Sequence, residues 1–245
     1  MLLAILAVSV WLGIEKFKNS QEVGSTENKT KTEAPKKELK PKTFAGTERP
    51  LAFMIDNNIN AMPQAGLLEA DLVYEIIVEG GETRMMAVLK GKDVEKIGPV
   101  RSSRHYFLDY VLENDAIYVH FGWSPQAESD ISTMGVNNIN GLYYDGSYFW
   151  RVSEKYAPHN AVISTKNILK VAENNEYRTT SEQKPVLNYV ADEIELEDGK
   201  EAETITIPYS DYNTVKYTYN EDKKEYVRYC LLYTSPSPRD RQKSR

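Results

Sequence analysis

The sequence predicts a mixed α/β protein of the α+β class, in which an N-terminal α/β domain is followed by a truncated, β-rich second domain. Between residues 44 and 180, short apolar runs typical of strands alternate with segments whose apolar residues recur at helical spacing. Over residues 184–229, polar and apolar residues alternate and helical patterns are sparse. The content of 41% hydrophobic and 27% charged residues is ordinary for a globular protein.

The beginning of the chain is predicted to lie outside the folded domains. Leu2–Ile14 is an unbroken apolar run of about 13 residues, short of the roughly 20 that a membrane-spanning helix needs. The run matches the apolar core of a signal peptide. Residues 1–18 are therefore interpreted as a signal or membrane-anchor segment that begins upstream of Met1, the alternative being a buried helix. Residues 19–43 are rich in Lys, Glu, Thr and Pro and are interpreted as a polar linker.

The first predicted elements of the α/β domain are strands. Leu51–Ile55 is a short apolar run that ends at Asp56 and Asn57. Leu72–Val78 and Thr83–Leu89 flank a Gly-Gly turn, which predicts a hairpin.

Helices are predicted where a hydroxyl side chain precedes an apolar periodicity. Ser102 or Ser103 is expected to cap a helix that closes at Asn114-Asp115. After a strand over residues 116–123, Ser124 and the following proline predict a helix to about Met134. Another helix is expected from Ser164 or Thr165 to about Glu173.

The segment NGLYYDGSYFWRV, residues 140–152, is predicted to have strand character around an Asp-Gly turn, because aromatic residues favour strands. The end of the chain is different in texture. Residues 230–245, CLLYTSPSPRDRQKSR, resemble translated sequencing-adapter sequence and are interpreted as an artefact, the alternative being a natural disordered tail.

Composition excludes several classes of function. The net charge of −6 is unsuited to nucleic-acid binding, which needs a concentrated basic face. Cys230 is the single cysteine, so neither an intrachain disulfide nor a cysteine-built zinc site can form. The three histidines lack local metal-ligand spacing, and the common nucleophile and phosphate-loop motifs are absent from the sequence. We therefore expect no metal and no cofactor.

The stretch IGPVRSSRHYFLDY, residues 97–110, predicts an anion site. Free backbone N–H groups at a helix start attract anions, and an arginine beside them can bind a carboxylate or phosphate through two hydrogen bonds. Arg101, Ser102 and Arg104 are the residues for this role. The alternative is that the two arginines pair with the protein's own carboxylates, Asp56 or Glu79, and hold loops in place.

Other polar residues share a predicted position at strand ends, helix starts or loops, where binding groups collect. The full set of candidate ligand-binding residues is Asp56, Asn57, Glu79, Thr83, Arg84, Arg101, Ser102, Arg104, His120, Ser124 and His159. No catalytic residue is assigned, although Asp56, Glu79 and His120 are candidates for acid–base chemistry of the glycosidase kind.

Aromatic residues cluster in two places, residues 121–123 and 143–150. Aromatic faces bordered by Asn, Asp and Arg suit stacking against sugar rings. The alternative is that these rings belong to the hydrophobic core.

Five segments resemble the YerB-like bacterial lipoprotein family, a domain of unknown function (number 3048): RPLAFMIDN, PQAGLLEADLVYEIIVEGGETRMMAVL, IGPVRSSRHYFLDY, DAIYVHFGWSPQA and APHNAVIS. The resemblance runs from Phe44 to Tyr229. It implies an extracytoplasmic, membrane-tethered protein with an N-terminal α/β domain and a separate β-rich C-terminal domain. Family members usually carry a lipid-modified cysteine after the signal segment, and this chain has none there. The resemblance supplies no activity, substrate or catalytic residue.

Three functional hypotheses follow. The first is an envelope protein, anchored to the membrane by its N-terminal segment, that binds an anionic or sugar-bearing cell-wall component or a protein partner. The second is a structural scaffold without a ligand. The third is a hydrolase of cell-wall polymers that uses carboxylate acid–base residues.

Overall fold

The structure is a computed structural model that describes residues 44–187, 199–211 and 213–230, together with the backbone of residues 242–244. The predicted signal segment and linker, residues 1–43, lie outside the described residues. Most of the predicted adapter-derived segment, residues 230–245, lies outside them as well.

A five-stranded mixed sheet organises the described part of the chain. Its strands are β1 (Leu51–Asp56), β2 (Leu72–Ile77), β3 (Thr83–Leu89), β4 (Ile117–His120) and β5 (Asn138–Asn140). The spatial order is β2-β3-β1-β4-β5, in which β1, β4 and β5 run parallel and β3 is antiparallel to both β1 and β2. The predicted hairpin is confirmed, since β2 pairs with β3 from Leu72 opposite Val88 to Ile77 opposite Thr83.

Helices cover both faces of this sheet. They are α1 (Leu108–Glu113), α2 (Pro125–Thr133) and α3 (Thr165–Asn174). Short 3-10 turns lie at Ile59–Ala61, Leu67–Glu69, Glu79–Gly81, His105–Phe107 and Gly141–Tyr143. The predicted caps of α2 and α3 are confirmed, because the side chains of Ser124 and Ser164 accept hydrogen bonds from the backbone N–H groups of Ala127 and Asn167.

The core has two layers because successive side chains of a strand point to opposite faces of the sheet. In β1, Leu51, Phe53 and Ile55 pack in a cluster with Ile168, Val171 and Ala172 of α3. Ala52 and Met54 pack in the other cluster, with Leu108 and Val111 of α1 and Ile131 of α2. Burial on both faces explains why β1 is apolar throughout instead of alternating.

Two further sheets complete the described fold. Two short strands, β6 (Trp150–Arg151) and β7 (Ala161–Val162), pair antiparallel. Toward the C-terminus, β8 (Thr204–Pro208), β9 (Thr214–Asn220), β10 (Glu225–Cys230) and β11 (Gln242–Ser244) form an antiparallel sheet in the order β11-β10-β9-β8. The predicted α+β class is confirmed by this mixture of helices and largely antiparallel strands.

The start of the first helix differs from the prediction. Arg104, not Ser102 or Ser103, occupies the position before the 3-10 turn that leads into α1, and no side chain caps it. The hydroxyl of Ser103 is buried and accepts a hydrogen bond from the Tyr118 hydroxyl at 2.9 Å. Residues 97–103 remain irregular and extended, because Val100 bridges to Ile55 and Ser103 to Trp123.

The predicted aromatic strand over residues 140–152 is mostly wrong. Asn140 ends β5 and Trp150–Arg151 forms β6, whereas Gly141–Tyr143 between them is a 3-10 turn. The Asn140 side chain accepts a hydrogen bond from the Leu142 N–H at 3.1 Å, and this local bond ends β5. An Asn side chain at a strand end therefore overrides the strand preference of the aromatics that follow.

Gly98 is a conformational requirement of the segment that carries Arg101. Its φ is +134°, and an added Cβ would lie 2.8 Å from the Val100 nitrogen and 2.9 Å from the Ala161 carbonyl oxygen. Its N–H and carbonyl groups also pair with Ala65. A side chain at this position would displace the segment from the neighbours that locate it.

We expect Gly98→Ala to lower the free energy of unfolding by about 3 kcal/mol or more, because it combines backbone strain with a clash. Gly135→Ala is the matched control, since φ is +65° there but nothing lies within 4 Å of the added Cβ. Strain alone should cost the control about 1 kcal/mol. Urea denaturation measures both values, and equal losses would contradict the clash at Gly98.

Candidate functional site

Most of the candidate residues lie at one edge of the central sheet. The parallel strands β1 and β4 end at Asp56 and His120. Because β3 is antiparallel to β1, its first residues lie at the same edge, with Arg84 opposite Asp56. The carboxyl ends of parallel strands are where α/β sheets usually bind ligands.

Asp56 is the carboxylate around which this edge is arranged. Its side chain is only 5% exposed, and its Oδ2 lies 3.4 Å from Nε of Arg101. The same oxygen accepts a 2.8 Å hydrogen bond from Nδ1 of His159. Oδ1 accepts a bond from the backbone N–H of Asn58 at 3.1 Å. One carboxylate thus connects residues far apart in sequence.

Backbone hydrogen bonds hold Arg101 in this position. Its N–H donates to the Met54 carbonyl, and the N–H of Asp56 donates to the Pro99 carbonyl, both at 2.9 Å. On the other side, the Phe121 N–H donates to the Arg101 carbonyl at 2.9 Å. Residues 99–101 are therefore fastened to the ends of both β1 and β4.

Arg84 and Arg104 join Arg101 to form what we term the arginine cluster. Arg84 is buried and donates from Nη1 to the Ser102 carbonyl oxygen. Arg104 donates from Nε to Glu79 at 2.7 Å and from Nη1 to the Ser103 carbonyl at 2.9 Å. Ser102 thus contributes its carbonyl group to the cluster.

The arginine cluster has more positive than negative charges. Burial lowers the pKa of Arg84, and the positive charges of Arg104 and Arg101 lower it further. The hydrogen bond from Arg104 is the main cause that holds the pKa of Glu79 below its usual value. Two carboxylates, Asp56 and Glu79, face the guanidinium groups of three arginines.

Asn57 and Thr83 belong to a neighbouring network that includes Glu75. The Asn57 amide donates to Thr83 Oγ1 at 2.8 Å, and Thr83 Oγ1 donates to Glu75 at 2.8 Å. The Asn213 amide also donates to Thr83 Oγ1, at 2.9 Å, and Arg228 pairs with both oxygens of Glu75 at 2.8 Å. The Thr83 hydroxyl thus donates one hydrogen bond and accepts two, which is its full capacity. Through Asn213 and Arg228, the network joins the C-terminal part of the chain to β2 and β3.

Sequence reasoning missed three members of this network: Glu75, Asn213 and Arg228. Asn213 and Arg228 lie more than a hundred residues from their partners in the chain. A lone Arg in an alternating strand gives no local signal of a buried ion pair. The acid at position 75, inside an otherwise apolar strand, was the one available hint.

His120 and Ser124 have structural roles. The His120 ring is fully buried, with Nδ1 2.8 Å from the Gly122 carbonyl and Nε2 3.0 Å from the Asn138 side-chain oxygen. Burial lowers the pKa of His120 to about 4, so the ring is neutral at pH 7. Ser124 caps α2. The histidine that contacts Asp56 is His159, not His120.

Metal binding has no support in the described part of the chain. Within residues 44–187, 199–211 and 213–230, no three His, Cys, Asp or Glu side chains gather in a way that could hold a metal ion. Nor do the described residues include a helix long and apolar enough to cross a bilayer.

Two grooves accompany the site. One, of about 780 Å³, lies beside β5 and is lined by aromatic and amide side chains together with residues of α2 that include Glu128. The other, of about 1170 Å³, lies along α3 and is lined by side chains of both charges. The arginine cluster lines neither groove.

Comparison with known proteins identifies the family. Residues 38–178 match the family described as "Protein of unknown function (DUF3048) N-terminal domain", and this match covers more than half of the chain. The chain belongs to the DUF3048 family. The resemblance found in the sequence is thereby confirmed.

A DUF3048 relative and a solved structure agree with this assignment. "Putative lipoprotein YerB" of Bacillus subtilis (strain 168) is 35% identical over 201 residues, which are 81% of this chain and 60% of the relative. The crystal structure of YerB protein from Bacillus subtilis matches with a TM-score of 0.70 and 32% identity, covering 80% of this chain and 67% of that one. The chain therefore spans about 60% of the length of the curated relative that it matches.

Burial of neutral His120 predicts a dependence of stability on pH. The pKa is about 4 in the folded protein and about 6.5 in an unfolded chain. Between these values the unfolded state binds the extra proton, so stability falls as the pH drops from about 6.5 to 4, by on the order of 3 kcal/mol. Denaturant unfolding at pH 7, 5.5 and 4.5 measures this loss.

His120→Asn is the matched control, because the asparagine amide can still donate to the Gly122 carbonyl but does not titrate. We expect the variant to lose less stability than the parent protein over this range. Nitrogen NMR shifts of the His120 ring test the same point without a variant. A folded protein in which this ring becomes charged near pH 6.5 would contradict the prediction.

Proposed function

We propose that the chain is an extracytoplasmic protein, tethered to the cell membrane, that binds the phosphate or carboxylate groups of a cell-wall component at the arginine cluster. The observation that carries the proposal is the convergence of Arg84, Arg101 and Arg104 at the carboxyl edge of the sheet, where Asp56 and Glu79 are the acids among the described residues that oppose them. An anion at this position would offset the remaining positive charge.

The guanidinium group of Arg101 has N–H donors without an acceptor among the described residues. Its side chain is 27% exposed, and its contact with Asp56 is made through Nε at 3.4 Å. In the part of the chain that the structure describes, neither of its Nη groups has a hydrogen-bond acceptor. A guanidinium group whose outer two nitrogens are open can bind a carboxylate or phosphate with two parallel bonds.

The proposed location rests on other observations. The apolar run near the N-terminus matches the core of an export signal, and a polar linker follows it. The similar Bacillus subtilis protein is named "Putative lipoprotein YerB". An outer location would expose the arginine cluster to the anionic polymers of a cell wall.

Titration calorimetry on the full chain tests the anion site with inorganic phosphate and N-acetylmuramic acid as probes. N-acetylglucosamine is the neutral comparison, because it lacks the carboxylate. We expect Arg101→Ala to weaken binding of the charged probes at least tenfold, and Arg101→Lys to restore part of it, because lysine keeps the charge but loses the two-point geometry.

Arg178→Ala is the matched control for this experiment. Arg178 is an exposed arginine that pairs with Asp115 and lies outside the arginine cluster. Its removal should leave probe binding unchanged. Equal affinities in the parent and Arg101→Ala proteins, or no binding of either charged probe, would refute the proposal; binding of phosphate alone would assign the ligand to phosphate-bearing polymers.

One contact favours hydrolysis as a second candidate function. His159 is partly exposed and donates from Nδ1 to the nearly buried Asp56 carboxylate. This arrangement leaves the lone pair of Nε2 free to accept a proton from a water or hydroxyl group. His159 thus replaces His120 as the base that we propose for such a reaction.

Release of soluble fragments from purified cell walls tests this second function between pH 5 and 8. The expected result is release that is lost in His159→Ala and retained in His105→Ala, since His105 is exposed and does not contact Asp56. Absence of release from the parent protein over this pH range rules the function out.

A further inference from the structure

We propose that the groove beside β5 is a binding site for an uncharged saccharide, separate from the arginine cluster. We term it the sugar groove and define it by Trp123, Asn138, Asn140, Tyr143, Tyr144 and Asn175. Its volume of about 780 Å³ lies within the range of ligand sites. Its chemistry is that of aromatic rings bordered by side-chain amides.

An unpaired buried donor supports a ligand in this groove. The side chain of Asn140 is oriented by two bonds, because its oxygen accepts from the N–H groups of Gly122 at 2.9 Å and Leu142 at 3.1 Å. Its Nδ2 is buried and has no partner among the described residues. Asn140 lines the groove and is 2% exposed. Leaving such a donor unpaired costs about 1–3 kcal/mol, which a ligand hydroxyl or carbonyl oxygen would offset.

Two aromatic rings provide a stacking surface. Tyr143 is 71% exposed, although tyrosine is costly to leave in water. The Trp123 ring lies 6.2 Å from it at an interplanar angle of 67°. Rings at this angle form a corner, against which the C–H face of a pyranose can pack. Tyr143 ends the 3-10 turn Gly141–Tyr143, whose first residue packs closely on Phe121, because a Cβ on Gly141 would lie 2.3 Å from the Phe121 ring.

The remaining polar groups favour an uncharged ligand. Asn138 and Asn175 line the groove, and the Asn175 amide is 3.3 Å from the Tyr144 hydroxyl. Amide and hydroxyl groups donate and accept in turn, as the hydroxyls of a sugar require. Glu128 is the charged side chain that lines the groove, and no described Lys or Arg does. A carboxylate or phosphate would therefore find no cation in the groove itself.

The sugar groove adjoins the loop of the arginine cluster. Ser103, which precedes Arg104, bridges to Trp123, and the Ser124 N–H donates to the Ser103 carbonyl. The two sites can nevertheless be tested separately, because uncharged probes report on the groove and charged probes on the arginines. Failure of one proposal therefore leaves the other standing.

Saturation-transfer NMR and titration calorimetry on the full chain test the sugar groove, with N-acetylglucosamine tetramer and cellotetraose as uncharged probes. We expect binding of at least one probe, weakened at least tenfold in Tyr143→Ala and retained in Tyr143→Phe, because the ring provides the stacking surface. Tyr156→Ala is the matched control, since Tyr156 is a highly exposed tyrosine outside the groove. It should bind as the parent does.

Asn140→Asp tests the unpaired donor. The aspartate keeps an oxygen for the N–H groups of Gly122 and Leu142 and replaces the Nδ2 donor with a charged oxygen that only accepts, so we expect at least tenfold weaker binding. Since Tyr143 is a surface residue, Tyr143→Ala decides the question if Asn140→Asp does not fold. Absence of binding of both probes at 10 mM, or unchanged affinity in Tyr143→Ala, would overturn the proposal.

Discussion

The carboxylate of Asp56 is the constraint on which this edge of the molecule depends. It lies at the end of β1 with 5% of its side chain exposed. A carboxylate buried to this extent needs partners, and it finds them in Arg101, His159 and the N–H of Asn58. Those partners belong to three separate loops. Loss of the acid would leave a partly buried guanidinium without its counter-charge, which costs more than the ion pair itself contributes.

Two polar networks share the sheet edge and differ in how fully they are satisfied. Around Glu75, the bonds to Thr83 and Arg228 and the bond from Asn213 to Thr83 use the available donors and acceptors. That network joins two sheets and has the character of structural support. Around Arg101, guanidinium nitrogens exceed the acceptors that the described chain supplies. Both networks contain arginines and carboxylates. We distinguish a structural network from a binding site by whether its hydrogen-bond donors already have acceptors within the described chain.

Elements that depend on interactions between residues close in sequence were predicted, whereas elements that depend on contacts with distant residues were not. Strands β1, β2 and β3 were predicted within one residue. Continuous burial makes the apolar runs of β1 and β3 conspicuous, and the Gly-Gly turn marks the end of β2. The caps of α2 and α3 depend on bonds that span three residues. The expected serine cap of α1 failed because the Ser103 hydroxyl is taken by Tyr118 from across the sheet. The aromatic strand failed because the Asn140 side chain turns the chain first.

The sequence by itself determined the fold class, the family, the bounds of β1 to β3 and the caps of α2 and α3, since these depend on periodicity, local bonds and recognisable segments. It also named Arg101 and Asp56 as possible partners. Only the tertiary structure decided that Arg101 forms an ion pair with Asp56, that His159 is the histidine beside that acid, and that His120 is buried and neutral. These outcomes depend on strand order and loop packing, which bring together residues separated by as many as 103 positions and leave no local trace in the chain.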